Sequence, residues 1–255
     1  MNQKLTLPSG KVTELRRLNV GCGFDYKDGY INIDLQSFHN PDVVGDVLDM
    51  PFFPSHWFEE IMAKDVLEHF QWRDTPRALH EWNRLLAPGG RLFISSTNLT
   101  GLLRRIESGH LTTIQDHKRL IIDLFSMQAY EGDFHLTAFT ERLLRYHVWA
   151  NGFEIESLTN FDGWLFHAWL RKVEDRSFDD LLGGEALSDE EFVTAVYRRI
   201  LEREPDESGL AHKLAELASG FRSRREVLIT VLLSEERESL MMSRAPDFAL
   251  TFDPS

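Results

Sequence analysis

The chain has 255 residues, 42% of them apolar, and 41 acidic side chains against 28 basic ones give a formal net charge of −13. That length fits one full α/β domain and a small second one, each able to bury a core. The acidic balance argues against nucleic acid, whose phosphate backbone rewards a basic surface. The single cysteine, Cys22, cannot form an intramolecular disulfide, and no Cys or His cluster has metal-ligand spacing, so no metal is expected. Without a signal-like N-terminal stretch or a long apolar run, the expectation is a cytoplasmic protein with no membrane span.

The first elements combine two halves of a nucleotide site. Leu18-Asn19-Val20 runs into Gly21-Cys22-Gly23, which puts bare backbone at the end of a buried strand. Ile31-Asn32-Ile33 ends on Asp34, a carboxylate placed to accept hydrogen bonds from both hydroxyls of a ribose. Tyr26 stands where a dinucleotide fingerprint has its third glycine, and Asp34 comes too early for that motif, so a nicotinamide or flavin oxidoreductase is disfavoured. Between Gly23 and Ile31 there is too little chain for a full crossover helix, which predicts a first helix cut to about a turn.

Strands and helices then alternate. Val43-Val44 leads into Gly45-Asp46-Val47-Leu48-Asp49-Met50-Pro51-Phe52, a short strand and a loop, and Phe58 to Ala63 is the fourth strand. After Asp65-Val66-Leu67-Glu68-His69-Phe70, Thr75-Pro76 reads as a helix N-cap followed by proline at the first helical position. Ala78, Leu79, Trp82, Leu85 and Leu86 give that helix its apolar face, Pro88-Gly89-Gly90 stops it, and Arg91 to Ser96 is a strand. Asn98 to Phe134 is longer than an ordinary connection and holds apolar positions for one or two amphipathic helices; it is expected to cover the acceptor site, with His110 and His117 flanking a polar part. Thr140 caps a helix that ends at Asn151-Gly152, and Phe153 to Leu158 with Leu165 to Val173 form an antiparallel pair at the sheet edge.

A change of character follows. Residues 1–175 read as the α/β domain, 176–187, with Gly183-Gly184, as a linker, 188–242 as a helical bundle and 243–255 as a loosely held tail. Ser188 with Glu191 and Ser223 with Glu226 have capping-box spacing. Arg198, Arg199, Arg203, Arg222, Arg224 and Arg225 read as a solvated basic face. The fold class is thus α/β: a Rossmann-like, mostly parallel sheet with an antiparallel edge strand and a shortened first helix, plus a small all-α C-terminal bundle.

The order of motifs resembles the class I S-adenosylmethionine-dependent methyltransferases, in particular a small bacterial branch found with surface-polysaccharide biosynthesis. The residues that carry it are Leu-Asn-Val-Gly-Cys-Gly, Tyr-Ile-Asn-Ile-Asp-Leu, Gly-Asp-Val-Leu-Asp-Met-Pro-Phe, Asp-Val-Leu-Glu-His-Phe and Glu-Trp-Asn-Arg-Leu-Leu-Ala-Pro-Gly-Gly-Arg-Leu, over about the first two-thirds of the chain. The resemblance implies S-adenosylmethionine as methyl donor, S-adenosylhomocysteine as product, and a donor site of Gly21, Cys22, Gly23, Asp34, Leu35, Asp46, Val47 and Asp65. Gly21 to Gly23 would lie along the methionyl and ribose portions, Asp34 on the ribose, Asp46 and Val47 at the adenine, and Asp65 near the sulfonium. Asn19 departs from the pattern, where many members carry an acid. Phe192 to Glu236 resembles a bacterial helical domain of unassigned function related to phycobilisome linkers and found on surface-polysaccharide proteins.

Methyl transfer to a hydroxyl needs an aligned nucleophile and gains from a general base. His69, on the rim after the fourth strand, is the first candidate and His135, in Gly132-Asp133-Phe134-His135, the second. The reading is therefore O-methylation of a sugar or glycan-related acceptor, with a homodimer or protein partner through the helical domain as one role for that domain and a ligand-free stability module as another. A non-catalytic donor-binding scaffold is the alternative from a different class.

Overall fold

A computed structural model describes residues 3–182 and 187–252. The chain divides into two compact units, residues 1–177 with 248–255, and residues 178–247.

The first unit opens on an antiparallel ribbon, β1 (Leu5–Thr6) and β2 (Val12–Thr13), that buries Leu5 and Leu7. Strands of two residues carry no periodicity, so this ribbon leaves no mark in the sequence pattern. Then come β3 (Arg17–Val20), β4 (Ile31–Asp34), β5 (Val43–Val44), β6 (Phe58–Lys64), β7 (Leu86–Thr97), β8 (Phe153–Phe161) and β9 (Leu165–Lys172), in one sheet of order β5-β4-β3-β6-β7-β9-β8. The first five are parallel, with Leu18 opposite both Ile31 and Ile61. Leu18, Asn19 and Val20 are all buried, as expected of a central parallel strand covered on both faces. The antiparallel pair is present, but the reversed strand is β9, one in from the edge, because β9 folds back from β8 to lie between β7 and β8. Residues 21–30 contain turns and no helix at all, less than the single turn expected.

Between β6 and β7 lies α1 (Thr75–Leu85), on which Ala78, Leu79, Trp82 and Leu85 are fully buried. Its cap differs from the expected one: Asp74 precedes the helix in helical backbone with no side-chain bond, because a 3-10 turn over Trp72–Asp74 runs straight into it, and Thr75 lies inside the first turn. α1 organises its neighbours through polar groups. Glu81 and Arg84 form a buried ion pair at 2.7 Å, Arg84 also donates to the carbonyls of Met50 and Phe53, and Trp82 Nε1 donates to Val47 O at 3.1 Å. A buried pair holds because every charge is bonded; removing one partner would leave the other uncompensated. The long connection after β7 supplies α2 (Leu99–Glu107) and α3 (Ile114–Phe125), the latter opened by a Thr113–Asp116 capping box, and α4 (Glu141–Ala150) is capped by Thr140 as expected.

The second unit consists of α5 (Asp179–Leu182), α6 (Asp189–Val196), a π-helical turn at Tyr197–Leu201, α7 (Glu207–Ala218), α8 (Arg224–Leu232) and α9 (Glu235–Arg244). Both expected capping boxes are formed. Its core gathers Phe192, Val196, Ile200, Val227, Leu228 and Val231. The basic residues lie in ion pairs, among them Arg199–Asp180, Arg203–Glu236 and Arg224–Asp189.

Two boundaries are corrected. Residues 176–187 are not simply a linker: Phe178 and Leu181, spaced as one helical face between aspartates, are buried in the second core, while Gly183-Gly184 lies outside the described residues. Nor are residues 243–252 loose. α9 reaches Arg244, and the chain then rejoins the first unit, where the Glu141 carboxylate accepts the backbone N–H of Thr251 at 2.6 Å and of Phe252 at 2.8 Å. Phe252 stacks on Phe166 and Phe248 meets Trp149 edge-on. Burial works against the Glu141 charge, but the two amides and Arg145 overcome it and hold the carboxyl below its ordinary range. Glu141→Ala is expected to lower unfolding stability by about 1 to 3 kcal/mol and to expose residues 245–252 to limited proteolysis, which urea melts and mass mapping of the fragments will read.

Candidate functional site

In an open parallel sheet a ligand crevice forms at the carboxyl ends of the strands where the strand order reverses. Here the chain proceeds outward from β3 through β4 to β5, then returns to the other side of β3 with β6 and β7. The reversal lies between β3 and β6, so their ends, Gly21 to Gly23 and Asp65 to His69, flank the crevice.

On the β3 side the chain turns sharply, with Gly21 at φ 58° and Gly23 at φ 49°. A Cβ on Gly21 would come within 2.7 Å of Val66 Cγ2, so the turn and the β6 loop need a residue without a side chain there. Side chains hold what no helix holds. Buried Asn19 donates to the carbonyl of Asp25 and to Asn32 Oδ1, both at 2.9 Å, and Asn32 Oδ1 also accepts the Lys27 amide at 2.8 Å. Asp42 in turn accepts the Asn32 backbone N–H at 3.0 Å. Asn19, where an acid was the expected pattern, is therefore the donor that fixes the glycine loop.

Asp34 closes the turn from β4. Its Oδ2 accepts the Gly23 amide at 2.8 Å, and its Oδ1 accepts the Gln36 amide at 2.8 Å and His39 Nδ1 at 2.9 Å. A carboxylate offers about four acceptor positions, so with these bonds intact Asp34 can take one ligand hydroxyl on Oδ2 rather than two. Cys22, buried beneath, has its thiol pushed up to about 11 by burial and by the Asp34 charge, which makes it inert packing. Leu35 is exposed beside Asp34, and Val47 is buried. Asp46 is exposed and turns its Oδ1 onto the Leu48 amide at 2.9 Å, a turn-capping bond.

On the β6 side Asp65 adopts φ 55°, a left-handed conformation that costs any residue with a Cβ though Asp less than most, and is fastened to β7 by Ser95 Oγ at 2.5 Å and by its own amide to the Ser95 carbonyl at 3.0 Å. It is a turn residue and no helix cap. Glu68 is completely buried, with Ser96 Oγ donating to it at 3.0 Å and Thr97 Oγ1 at 3.4 Å. Burial, reinforced by the nearby Asp65 charge, pushes its carboxyl up to about 8, so it is protonated at neutral pH.

His69 and His135, widely separated in the chain, are brought together: their rings meet edge-on with centroids 4.9 Å apart, and Nδ1 of each is buried without a hydrogen-bond partner. Burial first and His69 second hold His135 below its ordinary value, which leaves a neutral imidazole able to take a proton. His110 and His117 are exposed. Residues that sequence reasoning missed as contributors are Glu68, visible only as part of a motif, and His39, whose bond to Asp34 five positions earlier has no periodic signature. Among the described residues no group of three His, Cys, Asp or Glu side chains is placed to hold a metal.

Residues 9–94 match a family model described as a methyltransferase domain, and residues 173–241 match one described as a domain of unknown function. No curated protein matches the chain. Among solved structures, S-adenosylmethionine-dependent methyltransferases of Methanosarcina mazei are similar at 17% identity, covering 62% of this chain and 92% of that one with a TM-score of 0.47. A 1,6-didemethyltoxoflavin-N1-methyltransferase of Burkholderia thailandensis, solved with 1,6-didemethyltoxoflavin and S-adenosylhomocysteine, is similar at 15% identity, 62% and 71% coverage and a TM-score of 0.43. At these identities and scores the likeness speaks to no activity.

Gly21→Ala is expected to cost about 2 to 5 kcal/mol, the sum of a left-handed alanine and an overpacked contact; adding Val66→Ala returns the steric part and not the backbone part, as urea midpoints of the two variants will show. Glu68 sets a pH dependence. Its folded-state value of about 8 exceeds the ordinary 4.5, so its contribution is fully present below pH 4.5 and is lost as pH rises toward 8. The stability of Glu68→Gln relative to wild type should therefore rise by up to about 1.4 kcal/mol per pH unit across that window, measured by denaturant melts at stepped pH.

Proposed function

We propose that this chain is an S-adenosylmethionine-dependent methyltransferase that methylates a hydroxyl oxygen on a sugar or glycan-related acceptor in bacterial polysaccharide biosynthesis. The observation that carries the reading is the convergence, at one switch point of the sheet, of a glycine turn bonded to a strand-end carboxylate with two histidine rings in edge contact, the Nδ1 of each buried without a hydrogen-bond partner. The residues present fit the donor. Gly23 offers unobstructed backbone, Gly21 lets the turn close against Val66, Asp34 keeps one acceptor position for a ribose hydroxyl, exposed Leu35 offers an apolar surface for the adenine, and Asp65 supplies a carboxylate for a cationic centre. The bound donor supplies a methyl group on a positively charged sulfur, which transfers to an aligned nucleophile.

The chain's own part is then positioning and proton removal. Alignment of the acceptor oxygen against the methyl can supply up to about 7 to 11 kcal/mol of the barrier. The hydroxyl proton has to leave as the new bond forms, and His135, held neutral by burial, or its neighbour His69, takes it. Support for a glycan acceptor comes from the resemblance of the helical domain to modules of surface-polysaccharide proteins, and the same resemblance supports a partner-binding or dimerising role for that domain.

Calorimetric titration of S-adenosylmethionine and S-adenosylhomocysteine tests the donor half: micromolar binding is expected, weakened in Asp34→Ala by about 1.5 to 3 kcal/mol for the loss of charge-assisted bonds. Absence of binding to folded wild type overturns the assignment. In a methyl-transfer assay against a panel of sugars, His69→Ala and His135→Ala should lower kcat about a hundredfold or more while donor affinity stays unchanged.

A further inference from the structure

Residues 126–137, Ser-Met-Gln-Ala-Tyr-Glu-Gly-Asp-Phe-His-Leu-Thr, carry three left-handed positions, Ser126 at φ 65°, Gln128 at φ 54° and Gly132 at φ 97°. Side chains that strain the backbone need compensation, and Asp133 provides it from within: its carboxylate accepts Ser126 Oγ at 2.6 Å and the Ala129 amide at 3.0 Å, and its carbonyl accepts the Gln128 amide at 3.1 Å. The loop is thus closed on itself as a unit.

That unit is fastened on two sides. Gln36 Nε2 donates to the Glu131 carbonyl at 2.9 Å, and the Tyr130 ring meets Phe38 and His39 edge-on at 5.2 and 5.6 Å. At the other end the amides of Leu136 and Thr137 donate to the Glu68 carbonyl at 2.7 and 3.2 Å. Gln36, Phe38 and His39 follow β4, Glu68 follows β6, and β3 lies between those strands in the sheet. The segment therefore bridges the loops on either side of the Gly21 to Gly23 turn. The two fastenings differ in kind. The Glu68 end is tied by backbone bonds to a buried turn, whereas the Gln36 and Tyr130 end rests on one side-chain bond and ring edges at a surface where Phe24 and Phe38 are exposed. His39, beneath Tyr130, is bonded to Asp34 and keeps its Nε2 buried with no partner.

We propose that residues 126–137 are a strap that releases at Tyr130 and Gln36 to admit the methyl donor and closes over it, with Glu68 as the fixed hinge. The proposal rests on the donor reading above. His135 adjoins the hinge residues Leu136 and Thr137, so the fixed end of the strap keeps it beside His69 while the Tyr130 end moves. Tyr130 is a positioning residue that acts through its ring, and its hydroxyl is dispensable.

Hydrogen exchange of the full chain, with and without saturating S-adenosylhomocysteine, tests this directly. Slowed exchange in both residues 21–36 and 126–137 is the expected result. Stopped-flow displacement should then show S-adenosylhomocysteine leaving Tyr130→Ala and Gln36→Ala about tenfold faster than wild type, given the strength of such ring-edge contacts, with Tyr130→Phe unchanged. Slowed exchange at 21–36 with none at 126–137, or release from Tyr130→Ala at the wild-type rate, overturns the strap while leaving the donor reading intact. No binding and no change in exchange anywhere overturns the donor reading, and the strap with it.

Discussion

The constraint on which this site depends is the shortness of the crossover from β3 to β4. Ten residues, 21 to 30, join two parallel strands, a span that leaves no room for the helix that ordinarily packs such a connection. Without a helix there is no internal ladder of backbone bonds, so the turn must be satisfied by side chains. Asn19, Asn32, Asp34 and Asp42 do this from the strand ends and the loop that follows β4, and they occupy the positions nearest the glycines as a result. Asn19, Asn32 and Asp34 are buried and Asp42 partly so, and the bonds among them rigidify the loop. It also uses up most of the acceptor capacity of Asp34.

A second consequence is that the carboxyl end of β3 has no helix of its own over it, and the connection after β7 reaches across instead. Its attachment is made to the carbonyl of Glu68, whose side chain meanwhile ties the β6 turn to Ser96 and Thr97. One residue thus joins sheet, turn and strap, and it does so in the neutral state because an ionised carboxylate there would lack a cationic partner. Asp65 in a left-handed conformation, the unpartnered nitrogens of His69 and His135, and Glu68 as a protonated acid all lie within this small region. Local cost concentrated in one crevice is the usual mark of a site maintained for chemistry.

The second unit follows different rules. Its helices are short and their starts are fixed by reciprocal caps, while its arginines are neutralised by acidic residues on neighbouring elements. The chain enters it at Phe178, which is already part of its core, and leaves it for Glu141, whose carboxylate captures the returning backbone by two amides.

Local order fixed much of this protein in advance. The glycine turn, the strand-end Asp34, the apolar face of α1 and the boxes at Ser188 and Ser223 were legible because each depends on residues within about one turn or one strand of each other. The crossover without a full helix followed from counting residues alone. What the sequence left open depends on contacts between distant segments. The meeting of His69 with His135, the bond from His39 that leaves Asp34 a single free position, and the docking of Thr251 and Phe252 on Glu141 have no local pattern to betray them. The same holds for Glu68, which in sequence is one acid among many. Burial beside β7 and the strap, reinforced by the Asp65 charge, decides that it keeps its proton, since the energy of a charge is set by the surroundings that the fold assembles.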